Sequence, residues 1–493
     1  MADQKVPRRQ FLKQAGISLA ALSILECSSS KKTRKKPNII FIMADDLGYS
    51  HLGCYGQKII QTPNIDKLAK EGLLFTQAYA GCTVCAPSRA TLMTGLHSGH
   101  ISVRGNGGGV SLLKSDMTVA QLLKKEGYAT GLFGKWGLGE AGTVGVPNKK
   151  GFDEFFGYLH QLHAQFYYPE FLWDNEKKHP IPENANMQRK VYAPDLIMDR
   201  AKAFVRRHAD EPFFLYFPTT LPHHEFIAPE EDMKLYRGKF EEHPIPHWRD
   251  GYALPKEPKA TFAAMVTHLD KNVGEIMKLL QDLNLDEDTI VFFTSDNGAA
   301  NGPLENAEFF HANGPLRGYK RDLYEGGIRV PMIVRWPGRV KTAATTDQIT
   351  YFPDIMPTLI ELGDAKVNPP ENIDGISIVP TLLAKGQQKQ HSSLYWEAGK
   401  YDRVPPYGLQ PGSLLQAVRM GKWKAVKNSP DAKTELYDLA KDLGEKHNVA
   451  HENPQIVQKM NEIMKAAHRD APPQVDMTAE EAERLYVPRE RKK

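Results

Sequence analysis

Between residues 37 and 375 the chain alternates two hydrophobic rhythms. After Pro37, the run Asn38-Ile39-Ile40-Phe41-Ile42-Met43-Ala44 is apolar almost without interruption, the pattern of a strand buried on both faces. Shorter runs of the same kind cover 128–133, 213–217, 289–293 and 330–334. Between them lie stretches with helical spacing, at 118–126 (ended by Gly127), 197–208 and 262–283. Strands alternating with helices predict an α/β fold over 37–375, a large and mostly parallel central sheet flanked by helices. Beyond about residue 375 the texture changes. Short stretches at 416–419, 423–426 and 435–437 are broken by turn residues, and a helical pattern follows over 454–468. This predicts a C-terminal subdomain, 376–493, made of a small antiparallel sheet and a packed helix.

Composition changes the picture mainly at one end. Charged residues at 25% and hydrophobic ones at 41% exclude a disordered chain and a multi-span membrane protein. The net charge is +4, yet residues 1–36 alone hold nine Lys and Arg against Asp3 and Glu26. The remainder is slightly acidic, which gives no electrostatic footprint for nucleic acid. The basic excess is a leader. Arg8-Arg9-Gln10-Phe11-Leu12-Lys13 precedes an apolar stretch, Ala15 to Leu25, that is too short to span a bilayer. It resembles a bacterial twin-arginine export signal, so residues 1–36 are expected to be an export signal and basic tether read by the twin-arginine machinery. Cys27 before Ser28-Ser29-Ser30 is a candidate lipid anchor, although Glu26 departs from the small residue such sites prefer. The expected location is the periplasm, or the outer membrane as a lipoprotein. The other cysteines are Cys54, Cys82 and Cys85, too few for a disulfide scaffold.

Candidate chemistry gathers at strand ends, where open parallel sheets bind ligands. Asp45-Asp46 follows the first predicted strand, and Asp296-Asn297-Gly298 follows the one at 289–293. Adjacent carboxylates repel unless a cation lies between them, and three carboxylates with one amide are hard oxygen ligands suited to Ca²⁺ or Mg²⁺. Each pair also reads as a turn or cap, Asp-Asn-Gly being a strong turn sequence. Cys85-Ala86-Pro87-Ser88-Arg89 has proline in a first helical turn, which puts Cys85 at a helix N-terminus where backbone N–H groups favour an anion. A buried structural cysteine is the commoner case for an arbitrary Cys.

Cys85-Ala86-Pro87-Ser88-Arg89 followed by Ala90-Thr91-Leu92-Met93-Thr94-Gly95 resembles the signature of type I sulfatases, the formylglycine-dependent branch of the alkaline phosphatase superfamily. Thr62-Pro63-Asn64-Ile65-Asp66, Gly134-Lys135-Trp136, Pro222-His223, Leu316-Arg317-Gly318-Tyr319-Lys320 and Glu435-Leu436-Tyr437 extend the resemblance over nearly the whole chain after the leader. It implies an alkaline-phosphatase-like fold and a sulfuric ester hydrolase. Cys85 would be oxidised to formylglycine by a formylglycine-generating or anaerobic sulfatase-maturing enzyme. One hydroxyl of the hydrated aldehyde would attack sulfur, and the second would collapse to eject sulfate. Asp45, Asp46, Asp296 and Asn297, with the modified Cys85, would hold Ca²⁺. Arg89 would stabilise the diol, Lys135 and Lys320 would contact sulfate oxygens, and His223 would protonate the leaving alcohol.

The sequence departs from the family at Gly137, where Gly-Lys-Trp is usually followed by a histidine that hydrogen-bonds a formylglycine hydroxyl. His311 is a candidate replacement and equally an ordinary loop residue. His224, Glu225, Arg104 and Asn106 are candidates for the substrate pocket, with internal loop hydrogen bonds as the competing reading. Tyr167, Tyr168, Phe171 and Trp173 suit either sugar stacking or a core. Export, the glycine-rich loop over 97–109 and these aromatics point to a sulfated carbohydrate, exo-cleaved, with 4-O-sulfated galactose or N-acetylgalactosamine as the first choice. Two alternatives stay open: a phosphodiester or phosphonate ester hydrolase of the same superfamily, and a non-catalytic glycan-binding relative.

Overall fold

The computed structural model describes residues 36–106, 110–246, 251–400, 409–470 and 477–488. The leader, with Arg8, Arg9 and Cys27, lies outside the described residues. Strand β1 (Asn38–Ala44) is buried at every position. Its alternate side chains supply two different cores: Ile40, Ile42 and Ala44 face one, while Ile39, Phe41 and Met43 face the other. That is why the run shows no polar alternation.

The main sheet is completed by β2 (Leu73–Tyr79), β3 (Ala129–Lys135), β4 (Glu154–Tyr158), β5 (Phe171–Asp174), β6 (Lys177–Pro180), β7 (Phe213–Pro218), β8 (Thr289–Ser295), β9 (Arg329–Arg335), β10 (Ala344–Thr346) and β11 (Thr350–Tyr351). The order is β10-β2-β9-β8-β1-β7-β3-β4-β5-β6, with β11 also paired to β2. The five central strands, β8-β1-β7-β3-β4, are all parallel. The predicted run at 330–334 is β9, antiparallel to both β8 and β2. Helices α1 (Cys85–Thr94), α2 (Ala193–Arg207) and α3 (Pro258–Asp282) cover the sheet, α1 on the face of Phe41 and α2 and α3 on the face of Ile40. The expected α/β fold with a mostly parallel central sheet is what the chain forms.

The small sheet is antiparallel, in the order β12 (Leu394–Ala398), β13 (Leu415–Met420), β14 (Trp423–Lys427) and β15 (Glu435–Asp438). One face presents Trp396, Ala417, Val426 and Tyr437 to Tyr79, Leu323 and Ile328 of the main body. The other lies under α4 (Pro454–Ala467) through Met460 and Met464. A buried ion cluster joins the two sheets. Lys424 Nζ lies 2.9 Å from Glu325 Oε1 and 3.0 Å from Glu445 Oε1, and all three side chains are fully shielded from water. Glu445 Oε2 accepts the Glu325 N–H at 2.7 Å, and its carbonyl accepts Arg317 Nη1 at 2.8 Å. The segment between Arg317 and Glu325 is therefore clamped at both ends by the C-terminal sheet.

A second ion cluster ties the helices of one face together. His268 on α3 bridges Asp232 (Nδ1, 2.7 Å) and Asp195 on α2 (Nε2, 2.9 Å). Burial opposes its charge, but the hydrogen bonds it donates to the two carboxylates outweigh this and raise its pKa to about 9. Folded His268 thus holds its proton more tightly than the unfolded chain does. Its contribution is complete below the ordinary histidine value and fades as pH rises through about 9. We predict that urea denaturation between pH 6 and 10 shows a loss on the order of 3 kcal/mol, set by the size of the shift. That pH dependence should disappear in His268→Gln.

Candidate active site

The carboxyl ends of the five parallel strands lie side by side, and four of them deliver chemistry to one place. Asp45 and Asp46 follow β1, and Asp296 and Asn297 follow β8. Lys135 is the last residue of β3, and His223 lies in the turn after β7. Asp46 takes the left-handed conformation, φ 64°, which bends the chain across the end of β1. Its backbone N–H donates to Asp296 Oδ1 at 3.2 Å, and the Leu47 N–H to Ser295 Oγ at 3.0 Å, so the ends of β1 and β8 lock together.

Helix α1 starts at Cys85, as the proline position predicts, and all ten of its residues are buried. Asn106 Oδ1 accepts the Ala86 N–H at 2.8 Å in its first turn. Cys85 Sγ lies 3.4 Å from Asp45 Oδ1, 3.9 Å from Asp46 Oδ1 and 3.3 Å from Lys320 Nζ. One turn along, Arg89 reaches Asp296 Oδ2 through Nε (3.1 Å) and Nη2 (2.7 Å), approaches Asp45 Oδ2 at 3.5 Å and donates to the Lys135 carbonyl at 2.8 Å. Lys135 Nζ lies 2.7 Å from Asp45 Oδ2, and Lys320 Nζ lies 2.7 Å from Asp46 Oδ2. His223 Nε2 faces Asp46 Oδ2 at 3.5 Å, while its Nδ1 bonds the His224 carbonyl at 2.6 Å. Asp45, Asp46, Asp296, Asn297, Cys85, Arg89, Lys135, His223 and Lys320 are thus one buried constellation.

Its electrostatics follow from three carboxylates and three fixed cations shielded from solvent. Burial raises the Asp45 carboxyl, but Lys135, His223 and Arg89 together hold it well below the usual carboxylate range. Asp46 is lowered against burial by Lys320 and His223. Asp296 goes the other way, to about 6, because burial and Asp45 outweigh Arg89. Burial takes His223 down to about 4 despite Asp45 and Asp46, so its imidazole is neutral at physiological pH. Burial, with Asp296 and Asp45 close, pushes the Cys85 thiol up to about 12, which leaves an unmodified thiol a weak nucleophile. Asn297 Oδ1 is buried with no hydrogen-bond partner. An orphaned amide oxygen among three carboxylates is the donor set of a hard dication, and the residues fit one.

The remaining candidates fall elsewhere. His311 is exposed on a turn at φ 49°, outside the cluster. Arg104 pairs with the buried Glu397 of β12 and donates to the carbonyls of Gly99 and Arg469, so it ties the loop after α1 to the C-terminal sheet. Glu225 is likewise paired, with Arg189 at 3.1 Å. His224 packs its ring on His223, centroids 3.9 Å apart. In the aromatic insertion Tyr167 is fully buried and Trp173 is 6% exposed, while Tyr168 and Phe171 are half-buried against the core. Tyr167 has a job the sequence did not announce. Its hydroxyl reaches the carbonyls of Thr220 (2.7 Å) and His223 (2.8 Å), fixing the turn that aims His223.

Comparison with known proteins agrees with this geometry. Residues 37–365 match the Sulfatase family model, and residues 318–470 match that of the N-sulphoglucosamine sulphohydrolase C-terminal region. Human Arylsulfatase A is 31% identical over 491 residues, with 89% of each chain covered. The N-acetylgalactosamine-6-O-sulfatase of Bacteroides thetaiotaomicron is 30% identical over 510 residues, covering 88% of this chain and 93% of that one. Among solved structures, Ps i-CgsB in complex with k-i-k-neocarrahexaose superposes with a TM-score of 0.73 at 29% identity, covering 92% of this chain and 97% of that one. With its cysteine, its carboxylates and its lysines in one buried cluster at the strand ends, the chain belongs to the sulfatase family and is a sulfuric ester hydrolase.

Proposed function

We propose that this protein is an exported bacterial sulfatase that removes sulfate from carbohydrates, using a formylglycine made from Cys85 and a Ca²⁺ ion held by Asp45, Asp46, Asp296 and Asn297. One observation carries the reading: Cys85 Sγ sits between the Asp45–Asp46 pair and Lys320 at the first residue of a buried helix. A formylglycine there supplies a geminal diol, one hydroxyl to attack sulfur and a second to release sulfate without water attacking sulfur. A Ca²⁺ ion there supplies positive charge that neutralises the sulfate group.

The chain's own residues do the rest. Lys135 and Lys320, each on one carboxylate of the adjacent pair, turn toward sulfate oxygens as charge-assisted donors. Arg89 stays paired with Asp296 and Asp45, so it holds the site together. His223 points Nε2 into the cluster and gives its proton to the leaving oxygen. A bound sulfate ester brings negative charge, which favours the protonated imidazole that burial otherwise disfavours. The substrate assignment draws on the relative named for N-acetylgalactosamine 6-sulfate and the neighbour solved with a neocarrahexaose. We assign a galactose-type sugar, with the 4-O ester favoured by the sequence tested beside the 6-O ester. Export rests on the twin-arginine-like leader and Cys27.

Three outcomes follow. Coexpression with a formylglycine-generating enzyme should lower the mass of the tryptic peptide containing Cys85 by about 18 Da, the change from thiol to aldehyde. The same protein should hydrolyse a sulfate ester, and Cys85→Ala should not. Sulfate-ester hydrolysis by a protein whose Cys85 remains a thiol would remove the assigned nucleophile. Chelation with EGTA should lower the melting temperature, and Ca²⁺ at a hundredfold excess over Kd should restore about 2.7 kcal/mol of stability. A melting temperature blind to both would remove the cation. Finally, Tyr167→Phe frees the turn that carries His223 and should lower kcat by about tenfold, with the circular dichroism spectrum unchanged.

A further inference from the structure

The turn after β4 contains an amide with no partner among the described residues. Gln161 is 5% exposed, and neither its Nε2 nor its Oε1 has a hydrogen-bond partner. A buried amide offers two donors and one acceptor, and leaving both ends unpaired costs free energy unless something else pairs them. Its place in the fold says where that partner comes from. Strand β4 runs parallel to β3 with Tyr158 beside Lys135, so the residues after Tyr158 emerge at the end of the sheet where the site lies. The Gly137 N–H bonds the Leu159 carbonyl at 2.9 Å, two residues past Lys135. On the other side, the Gln165 carbonyl accepts the Glu225 N–H at 2.7 Å, two residues past His223. The segment 159–165 that carries Gln161 thus bridges the strand-end segments that carry Lys135 and His223.

Room for it exists because residue 137 is glycine. A Cβ built on Gly137 would lie 1.9 Å from Gln161 Nε2, and φ there is 75°. Any side chain at 137 would occupy the space the amide holds. Two unpaired ends of opposite character also select the ligand. A sulfate group only accepts hydrogen bonds and would satisfy Nε2 alone. A pair of neighbouring sugar hydroxyls both donates and accepts, and satisfies Nε2 and Oε1 together.

We propose that Gln161 is a specificity-determining residue that hydrogen-bonds neighbouring hydroxyls of the sugar carrying the sulfate ester, through an amide admitted by Gly137. The inference rests on the sulfatase reading above and deepens it. Its test compares two substrate types on the matured holoenzyme: 4-nitrophenyl sulfate, which has no hydroxyls, and a panel of 4-O- and 6-O-monosulfated galactose and N-acetylgalactosamine. Gln161→Met keeps the volume and removes the polar atoms, and Gln161→Ala is measured beside it. Both should lower kcat/KM for the sugar sulfates by about tenfold to a hundredfold more than for the aryl sulfate, the loss expected for one or two neutral hydrogen bonds. Thermal shift by the desulfated sugar should weaken in parallel, a readout that needs no turnover. An equal loss on both substrate types, or no loss on either, overturns the proposal. A wild type that cleaves the aryl sulfate but no sugar of the panel overturns it too and leaves the sulfatase standing. A matured wild type that cleaves neither removes the sulfatase reading itself.

Discussion

Six charged side chains, three of each sign, are packed together at the strand ends and almost fully shielded from solvent. Asp45, Asp46 and Asp296 oppose Arg89, Lys135 and Lys320, and Lys320, the most open of the six, is 6% exposed. Each ion, taken singly, costs several kcal/mol to bury, and only close mutual geometry offsets that cost. Deleting one partner leaves an uncompensated buried charge, worth about 3–5 kcal/mol against the fold. The parallel order β8-β1-β7-β3-β4, the left-handed turn at Asp46 and the anchoring of Arg89 on the Lys135 carbonyl all serve that balance.

The same demand reaches into the C-terminal sheet. Lys320 is the one cation of the six that comes from a long loop, and a loop lysine is a weak partner unless its backbone is held. The loop is held from outside: Glu445 caps Glu325 and takes Arg317, and Lys424 neutralises Glu325 and Glu445 together. Arg104 and Glu397 repeat the arrangement for the loop after α1. The small sheet is therefore a buttress for two site loops as much as a separate subdomain.

How much of this could be read from the chain depended on how local each signal was. The doubly buried strands announce themselves because no polar residue interrupts them, and Cys85 is marked by the proline two residues on. Strand β2, with Thr76 and Gln77 in its middle, and the short β4, β5 and β6 carry no such run and stay silent. That Asp45, Asp46, Asp296 and both lysines belong to one cluster with Cys85 was legible through motif resemblance. What sequence could not show is pairing. Arg104 looked available for substrate until Glu397, 293 positions away, was placed against it. Tyr167 read as an aromatic for stacking or packing, whereas its hydroxyl holds the His223 turn. Gln161 gave no signal, since an orphaned amide is a property of its surroundings and not of its neighbours in the chain.

The burial of Cys85 has a consequence in time as well as in space. Its thiol is enclosed by Asp45, 40 positions earlier, and by Lys320, 235 positions later, while Arg89 of the same helix closes on Asp296 across 207 positions. A chain made from its N-terminus therefore carries Cys85 in the open until more than two hundred further residues have been added. Only then can the sheet end close over it. Lys424 and Glu445, made later still, hold Glu325 and with it the loop that brings Lys320 to the thiol.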